Sequence, residues 1–68
     1  MLFYIRANVT LKVRGISGEF HRTIGWLVNA VDHNHAREKF EAQVKKDFAH
    51  MQFEQASFEY LEVAGEIK

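Results

Sequence analysis

The sequence predicts an α+β fold: a three-stranded antiparallel sheet in the order 2-1-3 with one helix packed on one face, a single ββαβ domain over residues 1–68. Three observations carry that prediction. Phe3, Ile5, Ala7, Val9, Leu11 and Val13 alternate with Tyr4, Arg6, Asn8, Thr10, Lys12 and Arg14. A period of two belongs to a strand with one buried face. Ala36, Phe40, Val44 and Phe48 recur at every fourth position, the apolar stripe of a helix. Gly15 and Gly18 separate the first alternating run from a second one, where a turn needs residues free to take positive φ.

The first strand is expected over Leu2–Arg14, and Gly15-Ile16-Ser17-Gly18 as a hairpin turn. The second strand follows over Glu19–Val31, with Phe20, Ile24, Trp26, Val28 and Ala30 inward and Arg22 discordant. Gly25 in mid-strand marks a bulge or a close approach of backbone. Trp26 has two readings: a core anchor on the inward parity, or an exposed hot spot if a bulge at Gly25 flips the register. Asp32, with Asn34 as the other choice, suits an N-cap for a helix reaching Met51. On that helix Glu41 and Lys45 have the favourable i,i+4 order, worth ~0.3–0.5 kcal/mol. Lys45, Lys46 and His50 suit the dipole at its end.

The last strand is expected over Gln55–Ile67. Phe58 and Tyr60 share one parity there, and Leu61, Val63 and Ile67 the other, a mismatch that a bulge near Tyr60 reconciles. A helix returning from a hairpin sets this strand antiparallel beside the first, which puts the best-patterned strand in the middle. One helix covers one face only. Tyr4, Arg6, Asn8, Thr10, Lys12, His21, Thr23, Leu27 and Asn29 then form an open face.

The 68 residues bury a small core, on the order of 60% of the unfolded surface, and such chains gain from partners. With no cysteine there is no disulfide framework or thiolate zinc site. The apolar run Leu2–Ile5 is broken by Arg6, too short for a signal or membrane segment. A cytoplasmic protein with no membrane partner is expected. Net charge is zero, but residues 1–31 carry +3 and residues 51–68 carry −3. Such asymmetry draws neighbouring strands together or orients a partner.

Chemistry is sparse. His33 and His35 flank Asn34, but two-residue spacing on a helix does not converge two ligands, and no metal or other cofactor is expected. Ser17 and Ser57 lack a nucleophile-elbow glycine pattern. Gly15 to Gly18 precede a strand, whereas a phosphate loop precedes a helix. No catalytic residue is assigned, and an enzyme is not expected.

The layout is a hairpin (Phe3–Val13, Phe20–Ala30), one helix (Ala36–Phe48) and a closing strand (Phe58–Val63). It resembles the small accessory proteins of phages and mobile elements, anti-CRISPR proteins among them. The resemblance is one of layout over the whole chain; it transfers no functional residue and departs from the acidic composition of DNA-mimicking inhibitors. It implies a phage-type inhibitor that occludes the working surface of a host protein or complex. The residues expected to touch that partner are Tyr4, Arg6, Lys12, Arg14 and His21 on the open face, with Glu59 and Glu62 as a second patch. Two other readings stand beside it. One is a nucleic-acid-binding domain using the same face, where an aromatic with basic neighbours stacks bases. The other is a structural homodimer, through an edge strand or face to face at Tyr4 and Leu27.

Overall fold

The computed structural model describes residues 1–15 and 17–65. Strand β1 (Leu2–Val13) and strand β2 (Glu19–Asn29) form the hairpin, followed by helix α1 (His33–Asp47), a single 3-10 turn (Ala49–Met51) and strand β3 (Phe53–Ala64). The sheet is antiparallel in the order β2-β1-β3, with α1 on one face, the α+β arrangement the sequence predicts. No helix is long and apolar enough to cross a membrane among the described residues.

Strand β1 behaves as its alternation demands. Phe3, Ile5, Ala7, Val9 and Leu11 are fully buried, while Arg6 and Lys12 are exposed. It ends at Val13, one residue short of expectation, and Gly15 and Gly18 both take positive φ in the turn. Strand β2 ends at Asn29 rather than Val31, because Ala30 and Val31 lead into the helix cap. Its pairing with β1 runs from Lys12↔Glu19 to Leu2↔Asn29 without a register shift. Gly25 is therefore no bulge. A Cβ there would strike the Tyr4 hydroxyl and lie 3.1 Å from Tyr4 Cζ, so the glycine makes room for a ring laid across it. The unbroken register also places Trp26 on the helix side, half-buried, and Arg22 stays exposed at the strand edge.

Asp32 is the N-cap: its carboxylate accepts from the His35 amide at 2.8 Å. Ala36, Phe40 and Val44 are fully buried against the sheet, and Phe48 meets Phe20 with ring centroids 5.9 Å apart. Helix α1 stops at Asp47, four residues before the expected Met51. The chain tightens into the 3-10 turn and reverses at Gln52, which sits at φ 52°. That left-handed conformation is costly for a residue other than glycine, so sequence gives no warning of the stop.

Phe40 is the centre of the core. Its ring lies 5.3 Å from Trp26, 6.2 Å from Phe58 and 6.3 Å from Tyr60, all tilted or edge-on, the geometry aromatic quadrupoles favour. Above it the Tyr60 hydroxyl donates to the Glu41 carboxylate. Glu41 thus turns to β3, and no Glu41–Lys45 ion pair forms among the described residues.

Burial, and then the Glu41 carboxylate, hold the Tyr60 phenol well above its ordinary pKa of 10.0. The native state keeps this proton where the unfolded chain releases it, so the contribution is complete below pH 10 and falls as pH rises beyond it. Urea melts are expected to show stability falling with pH above 10, and Tyr60→Phe to remove that part of the slope. An unchanged alkaline slope in Tyr60→Phe would refute the assignment.

Strand β3 begins at Phe53, two residues before the expected Gln55; Ile67 lies outside the described residues. Its register against β1 shifts twice, between Arg6 and Ala7 and between Lys12 and Val13. At the first shift Ala7 pairs with Tyr60 and Arg6 with Glu62, leaving Leu61 as the extra residue. This is the bulge that the parity mismatch predicts. Phe58, Tyr60 and Val63 all pack on the core, while Leu61 is 43% exposed.

Candidate protein-interaction face

Opposite α1, the sheet presents rows of three residues running from β2 across β1 to β3. They are Leu27–Tyr4–Ala64, Gly25–Arg6–Glu62, Thr23–Asn8–Glu59, His21–Thr10–Ser57 and Glu19–Lys12–Gln55. The Leu61 bulge creates this pattern. Glu59 and Glu62 differ in sequence parity, and the extra residue brings both to the same side, beside Asn8 and Arg6.

The face has an apolar pole and a polar middle. At the pole, Leu27 is 60% exposed and flanks Tyr4, which is half-buried because its ring lies over Gly25. In the middle, Thr23 Oγ1 donates to Asn8 Oδ1 at 2.7 Å, and Thr10 Oγ1 lies 3.1 Å from His21 Nδ1. These pairs border a shallow depression of about 440 Å³ that Glu59 closes on one side. Their side chains are tied to each other, so the polar rows are held in place before any partner arrives.

The expected contact residues divide accordingly. Arg6, Lys12, His21, Glu59 and Glu62 are exposed and share the face, and Tyr4 joins them half-buried. Arg14 stands at the rim: it lies past the end of β1, and its Nε reaches Glu54 Oε1 at 3.5 Å. Such an exposed pair contributes ~0–1 kcal/mol. Asn8, Thr10, Thr23 and Ser57 form the middle of the face. The alternation places Asn8, Thr10 and Thr23 on this face, whereas Ser57 reaches it through the β1–β3 register; none carries a charge that singles it out as a contact.

The histidines at the start of α1 serve the fold. His33 stands edge-on to Phe3 with ring centroids 5.0 Å apart. His35 Nδ1 accepts from the Val31 amide at 3.2 Å. Among the described residues no group of three His, Asp or Glu side chains is placed to hold a metal ion.

Fold and face together define a one-sided α+β sheet module. Comparison with protein-family models, curated proteins and solved structures found no match to this chain.

Proposed function

We propose that the chain is a cytoplasmic, non-enzymatic protein-binding module that presents its open sheet face to a larger protein. The layout it shares with small phage accessory proteins favours an inhibitor that acts by occlusion. The observation that carries the reading is the placement of Glu62 beside Arg6 and of Glu59 beside Asn8. Carboxylates set among the cations suit a partner of mixed charge, whose register they select. They oppose a polyanion, which needs a surface of one sign. The apolar pole at Leu27 and Tyr4 supplies the desolvated anchor that such a contact needs.

The test is capture from the native host on immobilised chain, comparing wild type with Arg6→Glu. Arg6 is exposed, so the variant keeps its fold, checked by circular dichroism. The captured protein is expected to fall at least about tenfold, the effect of losing one interfacial charge pair worth ~1.5 kcal/mol or more. Equal capture by both proteins rejects the face. Binding of single-stranded RNA or DNA that weakens log-linearly with salt replaces this reading with the nucleic-acid one.

A further inference from the structure

The two outer strands protect their free edges very differently. Strand β3 has two register shifts and carries Glu54, Glu59 and Glu62, devices that discourage another strand from pairing. Strand β2 pairs with β1 without a shift, and its charges, Glu19 and Arg22, lie toward its first end, leaving Thr23 to Asn29 without a charged residue.

The hydrogen bonds show which backbone groups that edge offers. The Ala30 amide donates to the Met1 carbonyl at 2.8 Å. Antiparallel alternation then turns Val28, Trp26 and Ile24 toward β1, and Asn29, Leu27, Gly25, Thr23 and His21 outward. The outward row is closed at one end by the chain itself. Lys39 Nζ donates to the Asn29 carbonyl at 2.6 Å, and the Val31 amide is taken by His35. From His21 to Leu27, the outward donors and acceptors have no partner among the described residues.

We propose that this edge pairs antiparallel with β2 of a second copy, about a two-fold axis at Gly25, joining two sheets into one of six strands. An uncharged edge calls for an uncharged partner strand; Thr23–Asn29 of β2 meets that requirement, and the axis sets Arg22 opposite Val28 of the second copy rather than against another charge. Centred on Gly25, Thr23 faces Leu27 of the second copy, and from Thr23 to Leu27 each outward donor meets an unclaimed acceptor. The axis leaves the Lys39 contact at Asn29 near the end of the ladder. On the helix side Ile24 of the second copy comes beside Trp26, which now lines an open groove of about 290 Å³ with Val28 and Phe40. The pairing uses the edge and does not rest on the open-face reading, although it would make the two faces continuous.

Sedimentation of the full chain from micromolar to millimolar concentration is expected to show its mass doubling. Amide exchange at Thr23, Gly25 and Leu27 should slow as the dimer forms, since these groups point away from β1. Leu27→Pro removes one outward donor without touching the β1 ladder, and is expected to remain a single chain at every concentration. Wild type that stays a single chain at millimolar concentration overturns the proposal. So does a dimer in which those three amides exchange as in the monomer, the signature of a face-to-face contact. The exchange readings are made on wild type, so they decide the matter even if Leu27→Pro fails to fold.

Discussion

Phe40→Ala is expected to abolish cooperative unfolding at room temperature. Phe40 is fully buried and touches the rings of Trp26, Phe58 and Tyr60, so its loss opens a void among residues of both outer strands and the helix. Truncating a buried phenylalanine costs about 3–5 kcal/mol. A domain of this size rarely has more than about 3–5 kcal/mol from its core to lose. The variant should show no sigmoidal melt by circular dichroism, and Trp26 fluorescence should shift toward that of solvated indole. Phe40→Leu, which keeps most of the volume, should retain a melt at lower temperature. A two-state Phe40→Ala melt within about 1 kcal/mol of wild type, the size of an ordinary surface or peripheral change, would show that this ring is not the centre of the core.

The second large effect comes from one substitution made at two adjacent positions. Ile5→Asn is expected to unfold the chain, and Arg6→Asn to leave it almost untouched. Ile5 is fully buried between Trp26 and Val63 in the ladder. Its truncation alone costs about 2–5 kcal/mol, and an amide without a partner there adds ~1–3 kcal/mol. Arg6 faces solvent from the same strand, where replacements stay within about 0.5 kcal/mol. Thermal melts of the two variants therefore test the sidedness on which the interaction face depends. Equal losses at both positions would mean that the open face is covered.

Sidedness was the most legible part of the fold, because β1 writes it in an uninterrupted period of two. The Asp32 cap, the α1 stripe and the bulge near Tyr60 were also readable, each from a local pattern with one physical explanation. The end of α1 was not. Its C-terminal reversal uses Gln52 in a left-handed conformation, where glycine or asparagine would have announced it. The start of β3 was hidden by the second register shift, which breaks the alternation around Glu54. At the candidate site, the β1 and β2 residues of the open face could be named from their alternation, but their pairing with β3 could not. Glu59 and Glu62 become companions only through Leu61, and Tyr4 loses part of its exposure to Gly25 through a cross-strand contact. Those relations depend on register, which pattern alone leaves free by a residue.

The strand order bears on how the molecule is made. The central strand precedes both of its neighbours in the chain, and the neighbour that completes it comes last, pairing Tyr4 with Ala64. An isolated hairpin is marginal in water, and α1 has its apolar stripe to hide only once a sheet exists. Synthesis must therefore pass through a nascent chain whose inner edge is bare, and closure waits on contacts between residues far apart in sequence, the slow kind of folding step. During that interval the edge of β1 that β3 will cover offers its backbone groups to any other extended strand.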